Sequence, residues 1–294
     1  MYKRNEERIM VNDFIFNESI DEIIKKRKSI RTYTNEEVSQ EIIKNLNTYI
    51  KNLKSPFNES VTFEIIDSKE HINGSKIGTY GIIKGATKFI VVKVKKSEFS
   101  LQDLGYKMES LILYATSLGL GTCWIGGTFK KGQFAKAIDL KGDEILPIVL
   151  PIGYEASKKS LVDRTMRKFT KCDFRKPWNE LFFLRDFSLP LTTYSTVGEY
   201  KNVFENVRLA PSALNKQPWR IIKNGDNFHF FIKKDKEPSE KINYDIQKID
   251  MGIAMCHFDL SCKEKGINGG FKFEKPIIDD IPKNTKYMVS WIRE

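Results

Sequence analysis

Residues Leu209–Arg220 read LAPSALNKQPWR, and the fold turns on how this stretch is understood. It follows EYKNVFENVR, where Tyr200, Val203, Phe204 and Val207 fall at helical spacing, so a helix runs into it and Pro211 ends that helix. Small residues come next, then the amide side chains of Asn215 and Gln217. A strand-like WRII then opens at Trp219, with Pro218 at its mouth. A helix stop that displays amides before re-entering a strand is more than a connection.

Working outward, the chain is an α+β mixture. The N-terminal part predicts helices near Ile20–Lys28 and Glu36–Leu53, then strands at Val61–Asp67 and Lys88–Val94. A long buried helix over Leu101–Leu118 leads to the glycine-rich GLGTCWIGG (119–127), a helix near Lys131–Ile138 and a strand EILPIVLPIGY ending at Tyr154. From Glu155 to Arg185 the chain is polar and basic, then reads RKPWNELFF, an arm with an aromatic end. After it the order restarts: a helix at Tyr200–Val207, a strand at Arg220–Ile222, the turn NGDN, a strand at Phe228–Lys233, a helix at Asp250–Lys265, and GINGGFKF in the place of GTCWIGGTF. Two related halves follow, residues 1–185 and 186–294, each expected to hold a mostly antiparallel sheet flanked by helices.

Composition removes several function classes. The 294 residues carry 49 Lys+Arg against 38 Asp+Glu, a formal charge of +11, which suits an anionic ligand. The lysines are scattered, however, and form no aromatic-laced stripe of the kind that binds nucleic acid. Cys123, Cys172, Cys256 and Cys262 form no CxxC pair, and MYKRNEERIMVND is too charged for a secretory signal, so a cytoplasmic, reducing setting is expected. No apolar run approaches the ~18 residues of a membrane span. Of the three histidines, His71, His229 and His257, none has a partner at ligand spacing. Cys256, His257 and Cys262 read as packing residues of an amphipathic helix, and Cys123, with no histidine placed to activate it, as a packed small residue. Trp219 reads as core and Gln217 as a residue that satisfies backbone groups.

Three clusters carry chemistry. Arg27-Lys28-Ser29-Ile30-Arg31 ends the first helix with two guanidiniums able to hold a phosphate. GLGTCWIGG offers backbone N–H groups to a flat ligand; it has neither the GxGxxG context of a dinucleotide fold nor a GxxxxGK[ST] loop. The third cluster is APSALNKQPW. Together the three resemble the FMN-dependent nitroreductase family, over most of the chain. In typical members the APSxxNxQPW element follows RxSxR within a few dozen residues, whereas here it lies in the second half.

The resemblance gives that displacement a meaning. The family's homodimers hold each FMN at the subunit interface, with RxSxR and the glycine-rich element from one subunit and APSxxN from the other. This chain resembles the single-chain subgroup, a fused pseudo-dimer that acts as a monomer. The reciprocal site looks lost, because KSPFNES (54–60) stands where APSALNKQPW would be and DFSLPLTTYS where RxSxR would be. One FMN per chain is therefore expected. By resemblance, Arg27 and Ser29 belong to the phosphate and ribityl side, Lys28 between them is also cofactor-binding, and Arg31 belongs to the pyrimidine edge, where a cation favours the reduced flavin. The amides of Trp124, Ile125, Gly126 and Gly127 would lie against the ring, with the glycine at 126 leaving room for a hydride donor. Pro211, Ser212, Ala213 and Asn215 would close the site. Arg175 would reach the phosphate, although Asp173 stands where many members have a second basic residue, and Tyr80 would reach the pyrimidine edge. The implied activity is an NAD(P)H oxidoreductase reducing a nitroaromatic, quinone or similar small acceptor, using NADH or NADPH, with no side-chain acid or base demanded, no nucleic acid and no membrane. The alternative is a flavin-binding sensor or carrier with little turnover.

Overall fold

The computed structural model describes residues 9–11, 14–68, 78–171, 173–192, 196–234 and 244–294; His71 and Cys172 lie outside them. A short hairpin, β1 (Ile9–Val11) against β2 (Phe14–Phe16), precedes the first helix α1 (Ile20–Lys26). Ser19 caps α1 by accepting from Glu22 N at 3.2 Å, with Asp21 and Glu22 in the first turn and Lys25 and Lys26 in the last, so the dipole is complemented at both ends. There follow α2 (Gln40–Lys51), β3 (Val61–Asp67), β4 (Lys88–Lys95), α3 (Ser100–Ser117), β5 (Gly121–Thr122), α4 (Lys131–Ala137), β6 (Glu144–Ile145) and β7 (Val149–Gly153). After α5 (Leu161–Phe169) and α6 (Trp178–Leu181) come β8 (Phe182–Leu184), α7 (Lys201–Leu209), β9 (Trp219–Asn224), β10 (Asn227–Lys233), α8 (Ile246–Glu264), β11 (Gly269–Lys272) and β12 (Thr285–Arg293).

Two five-stranded sheets result. The first runs β3-β4-β7-β5, with β6 also pairing β4; the second runs β9-β10-β12-β11, with β8 added beside β9. The two orders coincide strand for strand, and every pair in the shared path is antiparallel. β8 is different. It pairs parallel to β9, Phe182 against Ile221, so the aromatic end of the arm is the edge strand of the second sheet.

The halves meet along α3 and α8, which pack on each other over their length. Both helices are buried on nearly all sides, as their mixed apolar pattern requires. Their crossing is set by two glycines. A Cβ on Gly105 would lie 2.1 Å from Ile249 O, and one on Gly252 would lie 2.0 Å from Gln102 O, so neither position admits alanine without separating the helices. The same offset in sequence relates Asp103 to Asp250, two residues before these glycines, and Gly119 to Gly266, which end the two helices at positive φ. The equivalence extends to the loops after α2 and α7. Asp103 Oδ1 accepts from Phe57 N at 3.1 Å, and Asp250 Oδ1 accepts from Ala213 N at 2.9 Å.

Several elements differ from the sequence reading, among them the β1–β2 hairpin, α6 and β8, which it does not include. Helix α5 lies in the stretch that reads as polar and basic; Val162, Met166 and Phe169 do fall at helical spacing there, yet Asp163 is its only buried residue. The strand ending at Tyr154 is broken by Leu146-Pro147-Ile148 into β6 and β7, since proline cannot donate to the ladder. The C-terminal strand β12 lies beyond the last element that the sequence predicts. Among the described residues no helix is long and apolar enough to cross a membrane.

Candidate functional site

After α1 the RKSIR segment does not coil away; it runs extended along the edge of the first sheet. Ile30 N donates to Thr122 O at 2.8 Å, Lys84 N to Arg31 O at 2.9 Å and Tyr33 N to Lys84 O at 2.8 Å. Gly121 is required here, because a Cβ would sit 2.7 Å from Ile30 Cγ1. An extended backbone sends alternate side chains to the same side, so Arg27, Ser29 and Arg31 flank the glycine-rich turn. All three act electrostatically on Cys123 at its centre. Burial pushes that thiol up, and neither the arginines nor the Ser29 hydroxyl reverses the effect, which fits a packed cysteine and not a nucleophile. Lys28 points elsewhere and pairs at the surface with Glu155 Oε2 at 2.6 Å.

The two arginines have different partners. Arg31 is buried and donates from Nη1 to Asp163 Oδ1 at 3.2 Å, so α5 supplies a buried counter-ion that sequence reading does not foresee. Arg27 keeps only 8% of its side chain exposed, and its nearest acid atom is Glu109 Oε1, 3.8 Å from Nε. That Nε is buried without a hydrogen-bond partner.

Glu109, on α3 and fully buried, centres a network that crosses between the halves. Its Oε2 accepts from Trp124 Nε1 at 2.9 Å, and its Oε1 lies 3.0 Å from His257 Nε2 on α8; His257 Nδ1 lies 2.8 Å from Asn206 O on α7. Both histidine partners are acceptors, so the ring satisfies them together only with a hydrogen on each nitrogen. Burial alone would raise the Glu109 carboxyl. The hydrogen bond and charge of His257, the Arg27 charge and the Trp124 N–H outweigh it and hold the group below the ordinary carboxylate range. Neither Glu109 nor His257 stands out in sequence as a site residue; a lone acid in an apolar helix finds its partner only after folding.

The glycine-rich turn is held from both sides. Ile125, expected to offer its amide, spends it on Val149 O at 3.1 Å in a bridge to β7. Tyr244, from the second half, shares its single hydroxyl hydrogen between Gly126 O at 3.0 Å and Pro147 O at 2.9 Å. The room expected at Gly126 is taken, since a Cβ there would meet Ile148 Cδ1 and Ile246 Cδ1 at 3.1 Å; at Gly127 no atom lies within 4 Å of that position. Among the described residues the amides of Trp124, Gly126 and Gly127 make no hydrogen bond.

The APSALNKQP loop, residues 210–218, bends sharply. Leu214, Asn215 and Gln217 all have φ near +50°, a strained conformation for residues with side chains. Ser212 Oγ accepts from Gln217 N at 2.9 Å and Ala213 N donates to Asp250. Asn215 is fully engaged with the arm: Nδ2 donates to Lys171 O and Phe174 O at 2.8 and 2.9 Å, and Oδ1 accepts from Gln217 Nε2 and from Arg175 Nη1. Gln217 satisfies backbone groups as expected, through Lys176 N and Asn215 O, and Trp219 is core. Arg175 also holds Leu209 O at 3.2 Å. It therefore belongs to the loop and arm, while Pro211 borders the loop half-buried and Tyr80 stands 67% exposed at φ 48°.

Asp250 anchors this loop and is 2% exposed; burial pushes its carboxyl up to about 7, with Asp245 adding to the rise and the Ala213 N–H opposing it. Its Oδ2 has no hydrogen-bond partner. Its counterpart Asp103 accepts from Ser55 Oγ and Glu59 N as well as Phe57 N. The two halves have thus diverged at equivalent carboxylates.

The family model described as "Putative TM nitroreductase" matches residues 19–262. The chain belongs to this family. It is similar over 93% of its length to a crystal structure of a putative nitroreductase from Thermotoga maritima, itself covered to 93%, at 19% identity and a TM-score of 0.59. A shorter structure, a putative NADH dehydrogenase/NAD(P)H nitroreductase from Bacteroides thetaiotaomicron, is 21% identical, covers 48% of this chain and 89% of its own, and has a TM-score of 0.38. A putative NADH oxidase from Clostridium acetobutylicum is 27% identical over 47% of this chain and 89% of its own, with a TM-score of 0.39. No curated protein matches. Membership in the family makes the chain an oxidoreductase of nitroreductase type, with the single-chain pseudo-dimer architecture that the matched sheets and the α3–α8 axis describe.

Proposed function

We propose that the chain is an FMN-dependent oxidoreductase with one flavin per chain, acting as a monomer that takes electrons from NADH or NADPH and passes them to a nitroaromatic, quinone or similar small acceptor. The observation that carries this reading is the extended RKSIR segment bound along Thr122, which lines Arg27, Ser29 and Arg31 beside a turn with open amides. The residues present fit the cofactor: a buried guanidinium with an unspent Nε suits a phosphate, and three unpartnered amides at a glycine turn suit a flat polar ring edge. Flavin, when bound, supplies hydride acceptance and donation at its ring. Arg27 and Ser29 would hold the phosphate side. Arg31, already paired with Asp163, would act as a fixed dipole toward the ring edge more than as a bare cation. Trp124, fastened to Glu109, would keep the turn from collapsing, and the 211–215 loop would cover the site from the second half. Arg175 and Asn215 contribute by clamping that loop to the arm.

The test is the purified protein itself. A yellow preparation with close to one FMN per chain, bleached by NADPH and reoxidised by a nitroaromatic or a quinone, is expected. A colourless protein that takes up no FMN sinks the reading, two FMN per chain sinks the single site, and flavin inert to both nicotinamides leaves only a carrier or sensor.

A further inference from the structure

The second sheet holds a cavity whose lining takes no part in the proposed flavin site at the first sheet's edge. It measures about 180 Å³ and lies between the arm strand β8, the start of β9, the end of β10 and the loop before β12. Arg220 on β9 lines it. This side chain belongs to a residue only 6% exposed, and among the described residues it forms no ion pair. Its hydrogen bonds come from Nη1 alone, to Gln217 O at 3.0 Å and Trp219 O at 2.6 Å. The Nε–H and both Nη2 hydrogens are therefore unspent, and these form the edge of a guanidinium that grips a planar anion with two parallel bonds.

Arg220 is a nearly buried cation whose one acidic neighbour, Glu180, acts on it without forming an ion pair, so an anion seated at its open edge would complete it. Burial pushes Arg220 down to about 10, so it stays charged at neutral pH. Around it the wall is of two kinds. Thr285 Oγ1 is buried with no hydrogen-bond partner, and Lys233 adds a second positive group. Phe183 and Phe187 supply ring faces; they stand edge to face with each other, and Phe187 packs in the same way on Phe231, the cross-strand neighbour of Arg220. The one acid in the lining, Glu180, is exposed and makes no ion pair with Arg220. At about 180 Å³ the cavity is below the ~300 Å³ lower end of drug-sized pockets, which admits one ring and its acid group and excludes a nucleotide.

We propose that this cavity is a binding site for a small aromatic carboxylate, its carboxylate held by the open edge of Arg220 and the hydroxyl of Thr285, its ring against Phe183 and Phe187. The proposal does not depend on flavin. It has one structural connection to the flavin reading: Gln217, whose carbonyl Arg220 holds, also holds Asn215 and the arm.

The experiment is calorimetric titration of the full chain as purified, with benzoate and, separately, with inorganic phosphate. Benzoate should bind one to one without changing the flavin absorbance, and phosphate more weakly, since it leaves the rings uncovered. Arg220→Lys keeps the charge and removes the paired edge, so benzoate affinity should fall by roughly tenfold or more. Thr285→Val should weaken it severalfold, and Glu180→Gln should tighten it by removing a competing carboxylate. Circular dichroism checks folding; if Arg220→Lys does not fold, wild-type binding and Thr285→Val decide. No benzoate heat at millimolar concentration, affinity unchanged by Arg220→Lys or Thr285→Val, phosphate bound as tightly as benzoate, or binding that perturbs the flavin spectrum would each overturn the proposal.

Discussion

Replacing Asp250 by asparagine separates the charge of this carboxyl from its shape. In the folded chain burial holds the group up to about 7, against 3.8 for the free side chain. Between those values the unfolded chain has released a proton that the folded chain keeps, so stability falls as pH rises through the window and stays reduced above it. A gap of about three units at 1.36 kcal/mol each makes this a loss of up to ~4 kcal/mol. The Asp250→Asn amide would retain the acceptor for Ala213 N and leave an unpartnered NH2 where a protonated acid leaves an unpartnered OH. At pH 3, below both values, the two proteins should therefore have nearly equal stability. At pH 8.5 the variant should be more stable by roughly 2–4 kcal/mol, the upper figure being the full linkage. The assay is urea unfolding of flavin-free protein at both pH values, followed by circular dichroism. Equal pH slopes in the two proteins, or a variant less stable at pH 8.5, would refute the assignment of Asp250 as a buried acid that the fold must ionise at a cost.

Glu109→Gln should destabilise the chain by ~3–5 kcal/mol at pH 7, because it leaves His257 and Arg27 beside a neutral amide. Wild-type Glu109 stabilises above 4.5 and loses that contribution as pH falls through its lower folded value, so the variant's acid unfolding limb should be flatter. Gly252→Ala should lower stability by ~3 kcal/mol or more, since its Cβ has a carbonyl oxygen 2.0 Å away and the α3–α8 crossing must open; a thermal midpoint within a degree of wild type would contradict the crossing. Arg27→Ala and Asn215→Ala should each lower the FMN-to-chain ratio after gel filtration, the first through a lost phosphate contact and the second through a loosened loop. Normal retention in Asn215→Ala would count against a site built across the halves.

Much of the fold is legible in the sequence because its signals are local. β3 carries the boundaries its sequence suggests, and α3 lies within a residue of its expected ends. The duplication is legible from the order of elements, yet its sharpest mark, Asp103-Leu104-Gly105 repeated as Asp250-Met251-Gly252, is too short to stand out. Those words acquire meaning only when two glycines are seen to touch the opposite helix. The site is legible as three clusters but not as a network. Nothing near Glu109 or Asp163 in sequence announces the arginines they face, because those partners are brought in by a helix crossing and by a helix that buries a single side chain. The filled position at Gly126 depends on isoleucines from β7's approach and from α8, while at Gly127 nothing lies within 4 Å.

The crossing of Gly105 and Gly252 also bears on how this molecule can change. In a dimer of identical chains every substitution is made twice, so a carboxylate useful at one position is imposed on its twin. Here the twins are separate codons. Asp103 has become a saturated fastener for its loop, while Asp250, the same residue across the axis, keeps an empty oxygen in a dry place. Joining the halves into one chain lets one member of each pair settle fully into its loop while the other drifts to a different set of partners.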